Sequence, residues 1–279
     1  MDEFEGYLRI ATTTGRAPAA STHSTVSVLE EIEGRLDVIG QVDNIAPTED
    51  IRSVRFDGLK GFIVTFKKTD PLFTLDLSEP TAPEIRGELK IPGFSTYMHL
   101  LDDDHLLSIG YDADDQGSFA WFTGILLQVF DVGDLANPTL AHREVIGTRG
   151  STSDAATNHL AFNYFRPRQL LALPIVVCEG AEGGGNFGDT VTFSGLMVYR
   201  ANAEAGFELI GGIPHESLQG QEPDDTTRFS CSNWWTRSNS QVKRSIFMDD
   251  YIYSVALDQI DVSHVDDLEH PVARVSLGE

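Results

Sequence analysis

A recurring turn constrains this chain more than any other feature. Three segments, LDLSEPTAP at 75–83, FDVGDLANP at 130–138 and IDVSHVDDLEHP at 260–271, run from an alternating strand through a small or acidic turn to a proline that opens the next strand. In the first two, aspartate and proline stand seven residues apart, Asp76 to Pro83 and Asp131 to Pro138. Period-two alternation marks a strand with one face in a core, and a proline beginning the next strand suits a sheet edge because it donates nothing to a ladder. A turn repeated in this way implies tandem copies of one supersecondary unit.

Residues 51–93 hold one complete unit. Val54 and Phe56 precede Asp57-Gly58, a pair suited to a tight hairpin, and Phe62 to Phe66 is a β-branched and aromatic run. Phe73, Leu75 and Leu77 then alternate with polar neighbours, and Ile85 to Ile91 supplies a fourth strand after the proline turn. The hairpin recurs as Tyr97 to Leu101 followed by HLLSIG, and as Lys243 to Phe247 followed by YIYSVAL. Between them, Asn158 to Phe162, QLLALPIVV, GLMVY and FELIGGI are assigned as a further unit by position and strand content, without the aspartate–proline turn. The predicted fold is all-β, a β-propeller with about four complete four-stranded blades and a partial N-terminal blade, in a single domain over 1–279. The boundaries are 3–46 for the partial blade, then 47–93, 94–147, 148–216, and 217–279 with a long lead-in loop. In the N-terminal stretch GYLRIATTT, TVSVLEE and LDVIGQV give three strands with no inner strand ahead of them. Either the last blade closes the ring by sharing strands with that end, or the chain is the downstream portion of a longer propeller; the unpaired edge of an uncapped array favours the second.

With 43 acidic against 20 basic residues the formal charge is −23, which argues against a nucleic-acid partner, since phosphate binding needs a basic face. The N-terminus lacks the basic and apolar regions of an export signal, and no run of 18 apolar residues predicts a membrane span. The eight histidines show no zinc spacing, and no GxSxG nucleophile motif is present.

Candidate ligand groups fall into four sets. The inner strands of the predicted blades supply Arg52, Arg55, His99, His159 and Arg244, a basic ring able to hold an anion or carboxylate, or to pair with neighbouring acids. Trp234-Trp235, in a polar segment at 216–241, suits either a ligand anchor or a hook folding that loop onto its blade. Asp112, Asp114 and Gln116 resemble the first half of a calcium loop whose second half is missing, so calcium is the candidate cofactor and a solvated acidic turn the alternative. Cys178 and Cys231 are placed so that a disulfide is geometrically possible, with two unlinked thiols equally open. A formal GxGxxG at Gly183, Gly185 and Gly188 leads into a strand rather than a helix, which removes the N–H groups a pyrophosphate needs and leaves a loop.

GYLRIATTTG, the stretch SVRFDGLKGFIVTFKKTDPLFTLDLSEPTAPEIRGELKIPGFSTYMH, DDDHLLSIGYD and KRSIFMDDYIYSVALDQIDV resemble the bacterial and archaeal secreted β-propeller-domain family, distantly related to WD repeats. The resemblance implies a propeller extended on its N-terminal side, in a protein exported or membrane-anchored, with no established catalytic residues to carry over. The resulting expectation is a non-enzymatic, extracytoplasmic binding or scaffolding module whose loop faces meet a protein, peptide or glycan. The rival is a hydrolase- or lyase-type enzyme with its site at the mouth of the central channel.

Overall fold

The computed structural model describes residues 1–66, 70–91, 93–116, 120–180, 185–215, 231–232, 238 and 240–278. The strands form five consecutive antiparallel sheets. Sheet 1 holds β1 (Asp2–Phe4), β2 (Tyr7–Thr14), β3 (His23–Ile32) and β4 (Arg35–Ile45). Sheet 2 holds β5 (Asp50–Asp57), β6 (Lys60–Phe66), β7 (Asp70–Asp76) and β8 (Glu84–Ile91), and sheet 3 holds β9 (Phe94–Leu100), β10 (His105–Asp115), β11 (Ala120–Asp131) and β12 (Thr139–Ile146). Sheet 4 comprises β13 (Thr152–Ser153), β14 (Asn163–Phe165), β15 (Leu170–Glu179), β16 (Thr190–Asn202) and β17 (Gly206–Pro214); β13 and β14 both pair with β15. Sheet 5 is β18 (Val242–Met248), β19 (Tyr251–Ala256), β20 (Gln259–His264) and β21 (Ala273–Ser276). The chain parts into two compact units, 1–120 with 128–141 and 121–127 with 142–279, so the division passes through β11 and β12 and not between sheets.

In the first unit β6 is apolar on both faces because both are covered. Phe62 and Val64 join a cluster with Leu72, Met98, Leu106 and Phe130, while Ile63 joins Val26, Phe56, Phe73 and Leu75 on the other side. Each fully buried aliphatic or aromatic side chain of this kind contributes about 1.5–3 kcal/mol. Within the second unit Leu196, Val198 and Ile213 of sheet 4 pack against Val242, Ile252 and Ala256 of sheet 5.

The N-terminal sheet is complete, contrary to the three-strand reading. Its missing strand is β1, joined to β2 by the two-residue turn Glu5-Gly6, both at positive φ (52° and 86°). Arg9, only 3% exposed, fastens it: Nε donates to Asp2 Oδ1 at 2.9 Å, Nη2 bonds the other carboxylate oxygen, and Nη1 donates to Gly58 O of the next sheet. Asp2 and Arg9 are direct cross-strand partners, so the ion pair also sets the register.

The repeated turn has a packing role. Asp76 and Asp131 each accept a backbone N–H two residues ahead, from Ser78 at 2.9 Å and Gly133 at 3.0 Å, which shapes the turn. Each turn then sits on a glycine in the outer strand of the preceding sheet. A Cβ added to Gly40 would stand 2.1 Å from Pro80 O, and one added to Gly87 would stand 2.4 Å from Leu135 O and 2.7 Å from Pro138 Cδ. Sheet 4 reverses this arrangement. The turn after β16 is short and brings Gly206 (φ +77°) within 2.7 Å, measured from an added Cβ, of the His142 ring on β12, whose Nε2 contacts Ala203 O at 2.8 Å. The unit lacking the aspartate–proline turn is the one whose neighbour carries a ring where the others carry glycine.

Candidate binding site

The predicted basic ring is distributed over separate elements. In the first unit Arg52 lies on β5, 3.3 Å from Asp50 and with its guanidinium 5.6 Å from the Phe66 ring centre. Arg55 is cross-strand from Phe62, on the face of sheet 2 turned toward Met98, and its Nε is buried with no hydrogen-bond partner among the described residues. His99 follows Met98 on β9 and so projects from the opposite face of its sheet; the fold does not aim it at Arg55. In the second unit the expected strand Asn158 to Phe162 is replaced by two short 3-10 turns, Asp154–Ala156 and His159–Ala161, with the Asn158 side chain accepting from Leu160 N. Its apolar Leu-Ala-Phe run reads as a strand, but the side-chain caps of Ser153 and Asn158 close it into turns. His159 is therefore on an exposed turn, and Arg244 is exposed on β18, where Lys243 pairs with Asp154 at 3.1 Å.

Asp112 and Asp114 lie on the extended strand β10, with Gln116 Nε2 donating to Asp114 Oδ2 at 2.8 Å. An extended strand spreads alternate carboxylates along its length instead of curling them around a cation. Among the described residues no group of three His, Cys, Asp or Glu side chains is placed to hold a metal ion. Trp234 and Trp235 lie outside the described residues.

Cys178 and Cys231 are joined in a disulfide, Cα to Cα 5.8 Å, at the end of β15. Residues 148–150 are threaded beside it. Thr148 donates to Cys178 O from its backbone N–H at 2.7 Å and from Oγ1 at 2.9 Å, and a Cβ added to Gly150 would stand 2.0 Å from Cys231 O. Between these anchors Arg149 extends its guanidinium over two aromatic rings, 4.4 Å from the centre of Trp121 and 4.4 Å from that of Phe187. Its Nη1 donates to Gly185 O at 2.7 Å, and Gly188 N donates back to Arg149 O at 2.8 Å. Gly185 (φ +71°) presses on Trp121 so closely that an added Cβ would be 2.3 Å from the ring. The part of the glycine-rich segment from 185 onward is thus packed against the sheet through one arginine and two rings.

The electrostatics of this cluster are unusual for so acidic a chain. Burial lowers the Arg149 guanidinium below its ordinary value, and no carboxylate among the described residues pairs with it. Both rings hold it by cation–π attraction, worth about 0.5–2 kcal/mol each. Among the described residues the hydrogen bond from Nη1 to Gly185 O is the one its side chain makes, and the residue as a whole is half-buried. Sequence reading missed all three residues; the available signals were one arginine between two glycines in Gly-Thr-Arg-Gly and one phenylalanine inside a glycine-rich run.

Each unit also holds a cavity among its described residues. One of about 250 Å³ lies in the first unit between Phe4, Tyr7, Arg9, Leu59 and Leu77. The other, of about 440 Å³, is an apolar trough along β17 lined by Phe193, Met197, Leu209, Gly212 and Pro214.

Residues 1–268 match the profile of the family described as Beta propeller domain. The chain belongs to that family. This propeller chain is 31% identical over 262 residues to an uncharacterized protein of Archaeoglobus fulgidus, covering 94% of this chain and 32% of the relative. It is 39% identical over 140 residues to the uncharacterized protein MJ1554 of Methanocaldococcus jannaschii, covering 50% of this chain and 21% of the relative. The propeller chain therefore spans about a third of the length of one curated relative and matches about a fifth of the other. Among solved structures it is similar to Sqt1 from Chaetomium thermophilum, with a TM-score of 0.53 at 11% identity, over 98% of this chain and 59% of that one, a likeness of fold alone.

Proposed function

We propose that this propeller chain is a non-enzymatic binding module that works outside the cytoplasm and recognises a protein or peptide with the loop surface formed by Trp121, Arg149 and Phe187. The observation that carries this reading is the aromatic clamp on an arginine that no acid among the described residues neutralises, held between a disulfide and a glycine-rich segment. Aromatic and arginine side chains rigidly presented with little entropy left to lose are the groups that dominate protein interfaces. The disulfide supports the extracytoplasmic part, since such bonds persist in oxidising compartments. A peptide is favoured over a glycan because sugars stack on free aromatic faces, and here Arg149 covers one face of each ring while Gly185 presses on Trp121.

A random-peptide library displayed on phage, selected on the disulfide-intact chain, tests this. Enriched peptides are expected to bind at least tenfold more weakly to a Phe187→Ala variant. Equal binding to both proteins, or no enrichment, would contradict the proposal.

A further inference from the structure

Resting on that binding-module reading, we infer that Arg149 is a receptor for a single peptide carboxylate, which approaches in the plane of the guanidinium through the gap between Trp121 and Phe187. The guanidinium carbon stands 4.4 Å from the centres of both rings, and the N–H groups along its edge are the atoms able to donate to a ligand. One of those, on Nη1, is spent on Gly185 O, and the others make no hydrogen bond to a described residue.

A carboxylate fits this slot for three reasons. It is planar, so its two oxygens can accept from the guanidinium edge in the bidentate manner without leaving the plane of its N–H groups. A phosphate is tetrahedral, and an in-plane pair of its oxygens would leave the others out of that plane, nearer the negative π clouds of the packed rings. A carboxylate also brings one negative charge instead of nearly two into the field of a chain of formal charge −23. The clamp itself favours charge pairing, because partial burial already costs the guanidinium solvation that an oxyanion restores. The site is preorganised: Thr148 and Gly150 on either side of Arg149 are held against Cys178 and Cys231, so ligand binding orders little further.

The test is an NMR titration of the disulfide-intact chain that follows the Arg149 Nε–H resonance, with N-acetylglycine, its amide, D-glucuronate and inorganic phosphate as probes. N-acetylglycine is expected to shift that resonance saturably and the amide to leave it in place, with glucuronate and phosphate at least several-fold weaker. In an Arg149→Lys variant, which keeps the charge and loses the planar fork, binding of N-acetylglycine monitored by Trp121 fluorescence is expected to fall at least tenfold. No saturable shift with N-acetylglycine, an equal response to its amide, or tighter binding of phosphate or glucuronate would each overturn the inference. Undiminished binding in a folded Arg149→Lys protein would do the same. Library peptides that need Phe187 yet bind equally as free acids and amides would sink the carboxylate receptor while leaving the binding module standing.

Discussion

At the scale of single residues, the glycines under the repeated turns are exacting positions. Gly87 has no room for a side chain, with Leu135 O where its Cβ would go, and that carbonyl is also held by Thr74 Oγ1 at 2.5 Å. A Gly87→Val variant must lift the turn off its seat, at about 1–3 kcal/mol for an overpacked site, or a fall in Tm of roughly 3–10 °C; scanning calorimetry showing an unchanged Tm would refute the seat. The aspartates of the same turns are legible by titration. The Ser78 side chain and then its backbone N–H hold the Asp76 carboxyl below its ordinary value of 3.8. A depressed folded value stabilises above the unfolded pKa and is lost as pH falls through the folded one. Acid unfolding below about pH 4 should therefore be less steep for Asp76→Asn than for the parent chain in a Tm-against-pH series.

Elements show why some of the fold could be read from sequence and some could not. Replacing both cysteines by serine should cost about 4 kcal/mol if the 53-residue separation acts through the entropy of the open chain, lowering the urea midpoint. It should also speed amide exchange at residues 147–150 and 185–188, which lean on the bridge; unchanged exchange there would mean that the disulfide does not organise the clamp. Strands β5 to β8 were legible because Asp57-Gly58 and the proline turn bound runs whose alternation is plain. β1 was not, because three residues, Asp-Glu-Phe, carry no periodic signal and their pairing depends on Arg9 seven residues away from Asp2. The turns at 154–161 were misread because capping by Ser153 and Asn158 outweighed an apolar run. The clamp could not be foreseen at all, since Trp121, Arg149 and Phe187 lie on three separate segments and meet only through sheet pairing and the disulfide.

For the whole molecule, the sheets follow one another in chain order, at 2–45, 50–91, 94–146, 152–214 and 242–276. A formal charge of −23 repels anions in general, so a half-buried arginine with no acidic partner among the described residues is a place that can accept one. The relatives are much longer than this chain, and recognition by the clamp is a property proposed for this segment alone. The most direct measurement is a crystal structure of the chain with a library-selected peptide. The account predicts that the peptide lies across Trp121 and Phe187 with a carboxylate on the edge of Arg149. A peptide seated elsewhere, for instance in the trough beside Phe193, Leu209 and Gly212, with Arg149 untouched, would contradict it.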